Sequence, residues 1–202
     1  MPKKLPLLSL IVLSLILNSC HKNNDAPGNS GQLTGNYKFL YTSLQAQSTA
    51  QQSGGGQTLK TITYTNYKTI NNSGTVTFTQ DSIFSKGVGY STNAISNSYV
   101  YENGTLTDSI SFPLVETYPP SNSSTKFDVI GQDSVVFHGG YLFTGLGGNT
   151  TVAPPSGGRF SFKGDSLFIT SKVSQTLPPQ TSGGVTISQS ASGIAIIAML
   201  RQ

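Results

Sequence analysis

Beyond residue 32 the chain alternates between apolar and polar positions. "LKTITYTNYKTI" (59–70) sets Ile62, Tyr64 and Ile70 on one side and Thr61, Thr63, Thr65 and Thr69 on the other. "TVTFTQ" (75–80) brings Val76 and Phe78 together, and "DSISFPLVE" (108–116) aligns Ile110, Phe112 and Leu114, with Pro113 marking an edge or a bulge. "RFSFKGDSLFI" (159–169) gives Phe160 and Phe162, a turn at 163–166, then Leu167 and Ile169. A period of two over runs of about 4–8 residues predicts half-buried antiparallel strands. Thr, Val, Ile, Tyr and Phe supply these runs, while Gly, Asn, Asp, Ser and Pro punctuate them. The pairs Pro119-Pro120, Pro154-Pro155 and Pro178-Pro179 read as loops. The pattern predicts an all-β fold, either a β-sandwich or an antiparallel up-and-down β-barrel. Its expected inward set is Ile62, Tyr64, Val76, Phe78, Ile110, Phe112, Phe160, Phe162, Leu167, Ile169, Ile194 and Ile196.

The first twenty residues, "MPKKLPLLSLIVLSLILNSC", follow another rule. Lys3 and Lys4 precede an apolar run over 5–17 that is shorter than the roughly 20 residues a membrane-spanning helix needs. The run suits the core of a secretory signal. It ends in Leu17-Asn18-Ser19-Cys20, which resembles the bacterial lipobox. That resemblance implies cleavage before Cys20, acylation of its thiol, and an anchor in the cell envelope, at the outer membrane. Cys20 is the single cysteine, so no internal disulfide is available. Residues 21–32, "HKNNDAPGNSGQ", lack apolar periodicity and read as a flexible tether. The expected organisation is a signal peptide over 1–19, a lipidated tether over 20–32 and one β domain over 33–202.

The domain opens on Leu33-Thr34-Gly35-Asn36-Tyr37-Lys38 and closes on "GIAIIAMLRQ". These ends resemble the lipocalin-like domain of Bacteroidota lipoproteins. There a glycine and an aromatic on the first strand meet a basic residue from the last. The resemblance implies that Gly35, Tyr37 and Arg201 close the barrel, with tyrosine in place of the family's tryptophan, since the chain has none.

Composition narrows the chemistry. Charged residues make up 10% of the chain, and the formal charge of +4 falls to +2 without Lys3 and Lys4. No cluster of Lys and Arg suits a phosphate backbone, so nucleic acid is not an expected partner. "GDSL" at 164–167 matches the name-giving block of a serine hydrolase family, but it sits near the C-terminus within a hairpin pattern. The two histidines, His21 and His138, lack the aspartate three residues earlier that this family pairs with its serine. Glu102 and Glu116 are the only glutamates, no metal-ligand spacing occurs, and "GLGGNT" (145–150) lacks a phosphate-binding lysine. The expectation is a protein that is not an enzyme, with no catalytic residues, no metal and no cofactor.

"QDSIF" (80–84), "TDSIS" (107–111), "QDSVV" (132–136) and "GDSLF" (164–168) repeat one triplet, using four of the six aspartates. Aspartate at a turn before a strand explains part of this. The triplets also resemble the O-glycosylation signal of the Bacteroidota, which implies Ser82, Ser109, Ser134 and Ser166 as acceptors. Two functions are consistent with these features. One is a monomeric, membrane-anchored binding module for a small hydrophobic or glycan ligand. The other is a structural or interaction protein of the envelope whose barrel is filled. For the anchor, Cys20→Ala is expected to move the protein from the membrane fraction to the soluble or precursor pool. Fractionation unchanged from wild type contradicts lipidation at Cys20.

Overall fold

The structure, a computed structural model, describes residues 32–138 and 156–202. The leader, Cys20, most of the tether and Pro154-Pro155 lie outside the described residues. Among the described residues the strands are β1 (Gly35–Gly54), β2 (Gln57–Lys68), β3 (Ile70–Phe78), β4 (Ser82–Glu102), β5 (Thr105–Ile130), β6 (Ser134–Phe137), β7 (Ser156–Lys163), β8 (Ser166–Ser182) and β9 (Val185–Arg201). They form a single antiparallel sheet, not the two facing sheets of a sandwich. β2 and β3 run end to end as one stave, β2 filling the upper gap between β1 and β4 and β3 the lower. At the joint, Thr69 bonds Thr42 twice: its N–H donates to the Thr42 carbonyl at 2.8 Å, and its Oγ1 accepts from the Thr42 N–H at 2.9 Å. β9 pairs back on β1, so an eight-stave ring closes through β1, β3, β4, β5, β6, β7, β8 and β9.

Turn chemistry separates the two ends of the ring. The upper hairpins turn on Gly55-Gly56, Asn103-Gly104 and Gly183-Gly184, all six residues at positive φ. That is the two-residue turn whose twist matches that of its strands. The base hairpins lead into Asp81-Ser82-Ile83, Asp133-Ser134-Val135 and Asp165-Ser166-Leu167. In each, the aspartate carbonyl accepts a backbone N–H from the next strand round the ring: from Phe127 at 2.9 Å, Phe160 at 2.6 Å and Arg201 at 2.8 Å. The aliphatic residue then points into the core, with Ile83, Val135 and Leu167 no more than 1% exposed. The recurring triplet is a stitch: a turn, a carbonyl tie and a core residue.

Those core residues plug the base. Tyr37, Phe78, Phe127 and Phe137 form a chain of ring contacts from β1 to β6, with centroids 5.6, 5.5 and 6.3 Å apart. Leu33, Ile83, Val135, Leu167, Ile169 and Met199 pack with them. The Tyr37 hydroxyl donates to the Leu33 carbonyl at 2.9 Å and accepts from Arg201 Nη2 at 3.0 Å. The Arg201 guanidinium lies 5.5 Å from the ring centroids of both Tyr37 and Phe162. The first and last strands are thus joined by a ladder and by a latch at its foot.

Among the described residues the sheet is open above the base. β6 and β7 are short and meet β5 and β8 only near the base, over Phe127–Ile130 and Arg159–Lys163. Over the upper part, β5 and β8 are therefore edges among the described residues. Both carry prolines with register shifts: Pro119-Pro120 between the Val88 and Tyr90 pairings, and Pro178-Pro179 between Leu177 and Gln180. These two proline pairs are not loops, as expected from sequence, but bulges within strands of 26 and 17 residues. Proline lacks the N–H that a further strand would use, so it blunts an exposed edge.

The inward set needs correction in its upper half. Val76, Phe78, Phe160, Leu167 and Ile169 are buried, but Tyr64 is 46% and Ile194 41% exposed. Ile62, Tyr64, Ile194 and Ile196 face outward, because their neighbours Thr63, Thr65, Ala195 and Ile197 share the interior register of buried Ser96 and Leu44. In β9 one parity holds from Met199 to Ala195, so Ile194 and Ile196 simply lie on the other face, but at Ile62 and Tyr64 bulges in the neighbouring strands accompany a reversal. Irregular pairing at Phe39/Tyr41 in β1 and around Gly87 in β4 shifts side-chain parity between base and top. Ile110 and Phe112 lie on the inner register but on an open edge, and Phe162 lies at the mouth of the base, so all three stay at least 40% exposed.

Tyr37→Phe is expected to lower unfolding free energy by about 1–3 kcal/mol, since it strands a buried carbonyl and an arginine donor. Phe78→Ala is expected to cost about 3–5 kcal/mol through the cavity it leaves in the plug. Urea unfolding midpoints check both, and a midpoint unmoved in Phe78→Ala contradicts the plug.

Candidate functional site

Directly above the plug, interior positions change from apolar to polar. β2 contributes Tyr67, β4 contributes Tyr90 and Thr92, and β5 contributes Glu116 and Tyr118. The Glu116 N–H donates to Oγ1 of buried Thr92 at 3.2 Å, and the Tyr118 hydroxyl donates to Glu116 Oε2. The Tyr90 and Tyr118 rings lie 4.6 Å apart, and Phe39, 6.2 Å from Tyr90, ties this belt to the plug. Burial pushes the Tyr67 phenol up to about 12, with Tyr90 and Glu116 adding to the shift. Tyr118 is raised further, first by burial, then by its bond to Glu116 and by that carboxylate's charge.

Higher still, the interior is lined by small residues and hydroxyls. Thr63 and Ser98 are joined at 2.6 Å, and Thr65 and Ser96 at 3.0 Å. A cavity of about 260 Å³ opens here, lined by Ser48, Ala50, Thr61, Thr63, Gln175 and Leu177 among others. Near the mouth a second, of about 290 Å³, involves Gln52, Leu59 and Glu102. The outer face has a shallow groove of about 750 Å³ lined by Gln45, Gln47, Tyr64, Asn66, Asn97 and Lys172 among others. The interior therefore offers, at successive levels, aromatic faces with a carboxylate and then hydroxyl pairs. Such groups can hold a ligand through stacking and hydrogen bonds.

The residues singled out from sequence fall in three places. Gly35, Tyr37 and Arg201 meet at the base latch, where a side chain added to Gly35 would lie 3.7 Å from Arg201 Nε. Ser82, Ser134 and Ser166 belong to the base stitches and are half-buried, and the first two bond their own aspartates at 2.9 and 3.2 Å. Ser109 differs: it lies within the edge strand β5, exposed, and its N–H donates to Asp108 Oδ1 at 2.7 Å. Ser166 opens β8 after a tight hairpin, while His138 bonds Asp128 at 2.7 Å. Cys20 lies outside the described residues. Among the described residues no group of three or more His, Cys, Asp or Glu is placed to hold a metal.

Sequence reasoning missed the belt. Tyr67, Tyr90 and Tyr118 were not among the aromatics that periodicity placed inward. One signal was present: Glu116 and Tyr118 stand two apart in a strand, hence on one face. Comparison with known proteins finds no matching family, no matching curated protein and no matching solved structure.

The belt predicts an alkaline response. The folded-state pKa of Tyr67 lies above the ordinary 10.0, so the native state holds this proton more tightly than the unfolded chain. The associated stability is complete below pH 10.0 and lost as pH rises through about 12. Glu116→Gln is expected to move two of the nine tyrosines to earlier titration in a tyrosinate absorbance curve. An unchanged curve contradicts the coupling.

Proposed function

We propose that the protein is a binding module, held at the cell envelope by lipid on Cys20, that lodges a small ligand in the upper interior of its ring. The observation that carries this reading is the contrast along one interior. The base is filled by aromatic and aliphatic side chains, whereas above it comes a belt of tyrosines and then a level of hydroxyls, where a cavity of about 260 Å³ opens. Paired hydroxyls beside tyrosine rings favour a glycan over a wholly apolar ligand, because sugars present hydroxyls at their rims and C–H groups on their faces. The latch of Tyr37 and Arg201 supports the lipocalin-like reading, and the lipobox supports the outer-membrane address. Ser109, exposed on the edge strand, is the proposed glycan acceptor; Ser82, Ser134 and Ser166 are half-buried at the base turns.

Native mass spectrometry of the full-length lipoprotein from its host tests the module. A non-covalent ligand mass is expected in wild type and lost in Ala191→Trp, which fills the cavity beside Ser48 and Thr63. Far-UV circular dichroism should be the same for both. Wild type that neither carries nor takes up a ligand favours the filled, structural alternative. The same spectra read covalent glycan, which should vanish in Ser109→Ala.

A further inference from the structure

Charge is sorted across the upper sheet. The strand segments 43–68, 91–118 and 171–196 contain six charged residues: Lys60, Lys68, Glu102, Asp108, Glu116 and Lys172. Register assigns each to a face. Glu102 pairs with Leu59, Asp108 with Val100 and Glu116 with Thr92, all on the register of the interior threonines and of buried Ser96. Lys60 pairs with Tyr101, Lys68 with Ser43 and Lys172 with Ile194, all on the opposite register. The interior thus carries three carboxylates and, among the described residues, no lysine or arginine. Within these segments the outer face carries three lysines and no carboxylate. None of the three carboxylates belongs to an ion pair among the described residues.

A concave surface lined by one sign of charge concentrates the opposite sign within it. The interior carboxylates are spaced from belt to mouth and not gathered as a metal chelate. Glu116 instead stands among Tyr67, Tyr90 and Tyr118, whose ring faces attract cations. A second feature just above the plug points to a ligand. Ser171 is 2% exposed, yet its Oγ has no hydrogen-bond partner among the described residues. The register sets Ser171 level with Ala195, Leu44 and Tyr67, on the interior side. Gly158 opposite leaves room for that hydroxyl, since a Cβ there would lie 2.6 Å from it. A buried hydroxyl without a partner is costly, and a ligand group can satisfy it.

We propose that the interior selects a ligand bearing an ammonium group, primary or quaternary, which sits at the belt against the Glu116 carboxylate and the tyrosine faces, with a hydroxyl of the same ligand meeting Ser171. This rests on the binding-module reading and narrows it to a small organic cation, such as an amino sugar or an amino alcohol.

The test titrates full-length protein with charged and neutral isosteres: choline against 3,3-dimethylbutanol, and glucosamine against glucose. Calorimetry and tyrosine emission both report, because the chain has no tryptophan. Each cation is expected to bind roughly tenfold tighter than its neutral partner, with a preference that shrinks as salt rises. Glu116→Gln should abolish the preference, and Glu102→Gln should reduce it less. Lys172→Gln, on the outer face, should leave it intact. Equal affinity within both pairs, or a preference that survives Glu116→Gln, overturns the cation inference while leaving the module standing. If neither member of either pair binds, the inference also fails, and the native ligand mass decides the module separately.

Discussion

Everything above the base depends on one closure. β1 accepts β9 along one side and the β2–β3 stave along the other, from Tyr37 up to Ser53. A sheet that returns to its first strand has a single interior, and the volume of that interior must be filled or wetted. Here the latch gathers Leu33, Tyr37, Phe162 and Arg201 at the foot of the ladder, where both ends of the domain meet. Filling the base with aromatic rings satisfies the hydrophobic requirement in a short section of the ring. The upper strands are then free to extend without a core between them.

That division explains the composition. Strands of 20, 21 and 26 residues cannot all be apolar on one face without an oversized core. Threonine keeps strand propensity while leaving a hydroxyl on the interior, and it supplies Thr61, Thr63 and Thr65 together. Hydroxyl pairs across β2 and β4 meet part of the hydrogen-bonding demand that small polar side chains create. The open edges that result carry prolines, because an unblunted edge of this length invites pairing with another chain.

Much of this was legible in the residues. Alternation gave strands, and the matched ends placed Tyr37 and Arg201 in a common region. The face of each strand was not legible. A single bulge inverts parity, and nothing in "YSTNAISNSYVYE" marks where β4 has already been shifted near Gly87. In "IAIIAML" both parities are apolar, so the pattern cannot distinguish Ile196 from Ile197, of which only Ile197 is buried. The proline pairs misled for a related reason. A loop and a bulge on an edge strand share the same local chemistry, and only tertiary pairing separates them.

The Asp-Ser-aliphatic triplet shows how far local chemistry reaches. Turn capping accounts for the aspartate, but not for the aliphatic residue two positions on. The ring supplies that reason: three of the four triplets deliver Ile83, Val135 or Leu167 into the plug, while the aspartate carbonyl ties the turn to the next strand. Serine between them faces away from the core and is the least constrained of the three. The fourth triplet has the same letters without the same surroundings. Ile110 is 51% exposed, and Asp108 ties its own neighbour's N–H in place of a turn. A repeat kept by folding alone has no reason to include it. Asp108-Ser109-Ile110 is therefore where any requirement other than folding acts on this motif, and it lies on the open edge, beside the interior that carries the carboxylates.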